Sequence, residues 1–123
     1  MSADVFADRL ARVRQRFVST LDGKIEAAHA AISGLSDAAP MASASIVEVY
    51  RSIHGVVGIG PTVGFPSTGQ AAREVEDVLR GPYQNRRGLT ADEILLFERR
   101  LHAFREAAAR ELQSFRHRLT ASR

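Results

Sequence analysis

Residues Ile53–Pro66 read IHGVVGIGPTVGFP, with glycines at 55, 58, 60 and 64 and prolines at 61 and 66, in the middle of a chain whose flanks carry helical apolar spacing. The stretch is either a glycine loop that wraps phosphate or a helix that holds glycines for a particular reason. Gly55 to Gly60 gives Gly-x-x-x-x-Gly and Thr62 falls at the hydroxyl position, but Pro61 stands where a phosphate loop has its lysine. That motif also needs a preceding buried strand, and nothing upstream alternates in the way a strand does. The dinucleotide spacing fails too, because Gly58 and Gly60 call for a third glycine where Val63 stands. Read as helix, the stretch continues an apolar stripe through Ile46, Val49, Tyr50, Ile53, Val56, Val57 and Gly60. His54 then lies about 100° round from Ile53, at the edge of the core, with Arg51 and Gly58 as its neighbours along the axis.

The same periodicity extends outward in both directions. Phe6, Leu10, Val13, Phe17, Leu21, Ile25, Ala28, Ile32 and Leu35 recur at steps of three and four and predict one helix over about 4–35, with a possible bend at Gly23. The segment Ser33–Pro40, SGLSDAAP, predicts a loop. A second helix is expected over about 44–64, with Ser43 or Ser45 as N-cap. A third is expected over about 67–80, opened by a Ser67/Gln70 capping box and stopped by Gly81–Pro82, with Ala71, Ala72, Val75, Val78 and Leu79 inward. The last, over about 91–119, opens on a Thr90/Glu93 capping box and carries Ile94, Phe97, Leu101, Phe104, Ala108, Leu112, Phe115 and Leu119 on one stripe. Four such helices without a period-two segment make an all-α, antiparallel four-helix bundle the expected fold, as a single domain over 1–123.

Composition narrows the function classes. The chain has no cysteine, which removes disulfides, thiolate metal sites and cysteine redox chemistry. Its longest apolar runs are far below the roughly 18 residues of a membrane span, and the opening MSADVFADRL lacks a signal-peptide core, so a cytoplasmic protein is expected. Net charge is +3, and 16 of the 17 basic residues are arginine, Lys24 being the exception. That balance raises a nucleic-acid surface as one reading, which a continuous patch of Arg9, Arg12, Arg16 and Arg116 would favour. The arginines are nonetheless interleaved with acids along the last helix, the pattern of a solvated face. No pair of His29, His54, His102 and His117 has metal-ligand spacing, so no metal site is expected.

His54 stands apart from the other histidines by its setting. HGVVGIGPTVGFP resembles the signature of histidine phosphotransfer (HPt) domains, roughly His-x-x-Lys-Gly followed by an apolar-Gly-apolar group ten residues past the histidine. His54 matches the phosphoacceptor, Gly58 the glycine four residues on, Gly64 and Phe65 the later pair, and Pro66 the helix break after it. In the next helix Val75 and Glu76 match an apolar residue followed by Glu or Gln, and Arg80 stands where some members carry a basic residue. The likeness runs from Ile46 to about Leu79. Val57 occupies the place of the usual lysine, and Pro61 falls where the family has helix interior, so the helix should kink or end there.

The resemblance implies a phosphorelay carrier and not a kinase. His54 would accept a phosphoryl group from a receiver-domain aspartate and pass it to another receiver, with Arg51 and Arg80 offsetting charge, Gly58 giving access and Glu76 at the bundle edge. An imidazole suits this because it is one of few side chains both largely neutral near pH 7 and nucleophilic. The resemblance implies no cofactor of the chain's own, magnesium in the partner receiver, and a hybrid sensor kinase upstream. Two other readings stay open: a degenerate adaptor that binds a receiver or kinase without being phosphorylated, and a small basic helical protein that binds nucleic acid. His54 is expected to be accessible, beside an exposed apolar surface.

Overall fold

The computed structural model describes residues 3–121 and is all-helical. Its elements are α1 (Ala3–Ala30), a single turn α2 (Ile32–Leu35), α3 (Ala42–Ile59), a 3₁₀ turn at Pro61–Val63, α4 (Pro66–Gln84) and α5 (Ala91–Ala121). Among the described residues the one β-type pairing is an isolated parallel bridge between Ser36 and Leu89. There Asp37 N–H donates to the Leu89 carbonyl (2.9 Å) and Leu89 N–H to the Leu35 carbonyl (2.7 Å). This clasp ties the loop after α2 to the loop before α5.

α3 packs against α4, α4 against α5, and α1 lies against both α3 and α5. One core cluster runs through all of them, with Leu21, Ile46, Ile53, Val56, Val75, Leu79, Phe97 and Phe104 inaccessible to solvent. The apolar stripes of α1 and α5 are buried only in part. Phe6 (68% exposed), Val13 (45%) and Leu119 (54%) remain at the surface. The reason is length: 28 and 31 residues in α1 and α5 span about 42 and 46 Å, against about 27 Å for the 18 residues of α3. The first turns of α1 and the last of α5 therefore overhang the shorter pair.

Helix boundaries differ from the sequence expectation where a cap comes from elsewhere in the fold. α1 passes straight through Gly23 and breaks at Ala31, not Leu35. α3 starts at Ala42 behind a left-handed Met41 (φ 63°), and neither Ser43 nor Ser45 caps it. α4 starts one residue earlier than expected, at Pro66, whose missing N–H is harmless at a helix start. Its free donors are met by α5 and not by Ser67/Gln70: the Glu111 carboxylate accepts from Thr68 N–H (2.6 Å) and Thr68 Oγ1 (2.7 Å). α4 also runs through Gly81–Pro82 to Gln84, because Asn85 closes the turn by donating from its N–H and Nδ2, both 2.9 Å from the Gly81 carbonyl. The Thr90/Glu93 capping box forms as expected, at 2.9 and 3.2 Å.

The glycine stretch separates into two uses. Helix α3 ends at Ile59, Pro61 opens the 3₁₀ turn, and Gly64 at φ +94° turns the chain toward α4. Gly60 and Gly69 allow α3 and α4 to meet backbone to backbone: a Cβ on Gly60 would stand 3.3 Å from Gly69 Cα and 3.1 Å from the Phe65 carbonyl oxygen. At Gly58 an added Cβ meets nothing within 4 Å, so this glycine leaves open space and serves no packing contact.

Candidate functional site

His54 sits on α3 where that helix meets α4, with 66% of its side chain exposed. Facing it is Glu76 of α4, whose side chain is 5% exposed. Glu76 is buried because it falls one residue after Val75 and three before Leu79, on the shoulder of the core-facing stripe of α4. A buried carboxylate requires partners, and both of its oxygens have one. Oε2 lies 2.5 Å from His54 Nδ1, and Oε1 accepts from Arg80 Nη2 at 3.2 Å. The other Arg80 nitrogen, Nη1, pairs with Asp77 at 2.8 Å. These acids, Asp77 first and then Glu76, raise the guanidinium above its ordinary value.

The carboxylate fixes the imidazole. Acceptance by Glu76 places the ring proton on Nδ1, which leaves the Nε2 lone pair facing away from the carboxylate. No protein hydrogen bond is made at Nε2 among the described residues. Tyr50, one turn earlier on α3, lies parallel to the imidazole at 5.9 Å between centroids, and stacks on Tyr83 of α4 at 4.1 Å. The ring is therefore held from two sides, by a buried acceptor and an aromatic face. Tyr50, Asp77 and Tyr83 were not singled out from the sequence. The signal for them is helical spacing, since Tyr50 is four residues before His54, and Glu76, Arg80 and Tyr83 follow at steps of four and three.

Of the five residues expected at the site, His54, Glu76 and Arg80 form one connected cluster. Gly58 is exposed and clears the surface one turn past His54. Arg51 is exposed on α3 and takes no part in the cluster's hydrogen bonds. The exposed apolar surface expected beside His54 is displaced: the large exposed apolar residue of α3 is Ile59, which lines the α1 side of that helix. Val57 is half-buried against the core. The remaining histidines lie elsewhere, His102 being 72% exposed and paired with Glu106 on its own helix at 2.9 Å. No group of three or more His, Cys, Asp or Glu among the described residues could hold a metal ion.

A second feature lies on the α1 side of α3. Arg9, Arg12, Arg16 and Lys24 line a groove of about 580 Å³ between α1 and α3, over Val13, Phe17 and Ile59. It joins three of the four arginines named for a basic patch; Arg116, on α5, does not line it. No described helix is long and apolar enough to cross a membrane.

Comparison with protein-family models, with curated proteins and with solved structures finds no match to this chain in any of the three. The reading of the site therefore rests on its geometry and on the residues themselves.

Proposed function

We propose that this chain is a histidine phosphotransfer domain, an antiparallel four-helix bundle that takes a phosphoryl group on His54 from the aspartyl phosphate of one receiver domain and gives it to another. The observation that carries this reading is the pairing of an exposed imidazole with a buried carboxylate: His54 Nδ1 is 2.5 Å from a Glu76 that is almost wholly enclosed. A histidine kept only for packing has no need of an unpartnered outer nitrogen. A nucleophile does.

In the transfer, the Nε2 lone pair forms a bond to phosphorus in line with the breaking P–O bond, and the receiver's aspartate leaves as a carboxylate. The ring becomes an N-phosphorylated imidazolium that keeps its Nδ1 proton, and the Glu76 carboxylate is already placed to stabilise that positive charge. Arg80 holds Glu76 from its other oxygen and is itself held by Asp77, so the acceptor does not rotate away. Open space at Gly58 lets a receiver's active-site loops come close to Nε2. The magnesium ion and the groups that polarise the acyl phosphate belong to the receiver, and the chain is a cytoplasmic carrier supplied by a hybrid sensor kinase. It is not a kinase.

The test is transfer from a panel of phosphorylated receiver domains to the wild-type chain and to His54→Gln. An acid-labile, alkali-stable adduct that is lost in the variant supports the reading. Receiver binding without transfer points to the adaptor, for which Val57 in place of lysine is the favouring feature. The basic groove favours a nucleic-acid surface in turn, and that reading requires binding that weakens steeply with salt and with neutralisation of Arg9, Arg12 and Arg16.

A further inference from the structure

We propose that Lys24 is the cation that faces the phosphoryl group on His54, an inference that rests on the phosphohistidine reading above. On the α4 flank, Glu76 and Asp77 bring two carboxylates against the one guanidinium of Arg80, whose two terminal nitrogens are each bonded to one of them. Once the ring is phosphorylated, its imidazolium is matched by Glu76 and Arg80 by Asp77, so this cluster keeps no cation for the phosphoryl oxygens. Their charge has to be offset by a cation outside it.

Two cations flank the remaining sides. Arg51 precedes His54 on the same helix, and helical side chains lean toward the N-terminus, which carries its guanidinium away from the histidine. Lys24 reaches over from α1. Its Nζ lies 3.8 Å from the point where a Cβ on Gly55, the residue next to His54, would stand. Lys24 is half-buried and enters no salt bridge or side-chain hydrogen bond among the described residues. It is the only lysine in the chain, so the one flexible, compact ammonium stands on the α1 side of α3 against Gly55, the residue that follows the nucleophile.

Glycines complete the arrangement. Gly55 and Gly58 carry no side chains on the solvent crest of α3, and a Cβ at Gly58 would meet nothing within 4 Å. The four-carbon stem can therefore swing its ammonium past Gly58 toward a phosphoryl group on Nε2.

The test uses phosphoramidate, a small donor that brings no receiver surface. Nε2 forms its bond to phosphorus as the donor's P–N bond breaks and ammonia leaves. Phosphohistidine formation is followed by phosphorus NMR on the full chain and on Lys24→Gln, Lys24→Met, Lys24→Arg and Arg110→Gln, with helicity checked by circular dichroism. Lys24→Met keeps the apolar stem, so a folded neutral variant is secured. The expected result is formation about tenfold slower in the two neutral variants, near wild-type for Lys24→Arg, and unchanged for the equal charge loss at Arg110 on α5. Wild-type labelling matched by the neutral variants, or an equal loss in Arg110→Gln, overturns the role of Lys24 and leaves the phosphohistidine reading standing. Absence of labelling at His54 in the wild type overturns both.

Discussion

Glu76→Gln isolates what the buried carboxylate does for the imidazole. The two side chains have nearly the same shape, so packing around position 76 is retained while the charge is removed. Glu76 accepts from His54 Nδ1 with one oxygen and from Arg80 with the other. A glutamine offers one acceptor and one donor, so it cannot serve both. If its oxygen faces His54, Arg80, which is 44% exposed, turns out to solvent and keeps Asp77. The imidazolium formed on phosphorylation is then held by a neutral acceptor. Hydrogen bonds to charged groups contribute about 1.5–3 kcal/mol and neutral ones about 0.5–1.5, so the loss is about 1–1.5 kcal/mol. That difference corresponds to transfer about 5- to 15-fold slower. If instead the amide N–H faces the ring, the imidazole must carry its proton on Nε2, and the nucleophile is blocked more severely. The assay is the initial rate of transfer from a phosphorylated receiver, together with nitrogen NMR of the imidazole tautomer. A Glu76→Gln rate within twofold of wild type, or a wild-type ring protonated at Nε2, would refute the reasoning.

Other consequences concern the scaffold. The Arg87 guanidinium, followed by the backbone N–H of Thr90, holds the Glu93 carboxyl at about 2, well below its ordinary 4.5. Because the folded value is the lower one, this stabilisation is complete above about pH 4.5 and is lost as pH falls toward 2. Discounted for the exposure of the pair, Glu93→Gln should cost about 1–2 kcal/mol in urea denaturation at pH 7, with the gap to wild type closing by pH 2. Gly58→Ala should raise stability by about 0.5–1 kcal/mol, as an open helical glycine does. Gly88→Ala should lower it by about 2 kcal/mol or more, since its Cβ would fall 2.7 Å from the Asp37 backbone, and thermal unfolding of the pair gives the contrast. Glu111→Ala strips the cap from α4 and should cost about 1–2 kcal/mol, read by the same denaturation.

What could be read from the sequence was whatever depends on neighbours within a turn or two. The stripes of α3 and α4 and the Thr90/Glu93 box are of that kind, whereas the second helix, expected to reach about 64, ends at Ile59 because Pro61 stops it and opens a 3₁₀ turn. The first expected helix ran too far because Ile32 and Leu35 continue the stripe, while the chain inserts a break at Ala31 that no residue type there announces. The start of α4 falls within one residue of the expectation, but its cap is not the Ser67/Gln70 box: Glu111, 43 residues beyond Thr68, takes that role. The burial of Phe6 and Leu119 was overestimated, because amphipathic spacing records which face is apolar but not whether a partner helix is long enough to cover it. At the candidate site, the resemblance pointed to His54, Gly58, Glu76 and Arg80, of which His54, Glu76 and Arg80 are joined by hydrogen bonds. The Glu76 bond to Nδ1, the Tyr50–Tyr83 stack and the position of Lys24 over Gly55 depend on how α1, α3 and α4 pack, and no local pattern encodes that.

The most direct test of the account locates the phosphoryl group on the ring. After phosphorylation by a receiver, phosphorus–proton correlation NMR distinguishes Nε2 from Nδ1 attachment, and peptide mapping assigns the residue. The account predicts a single adduct on Nε2 of His54, with the Nδ1 proton retained toward Glu76. An adduct on Nδ1, an adduct on any other residue, or a chain that every receiver leaves unmodified would contradict it.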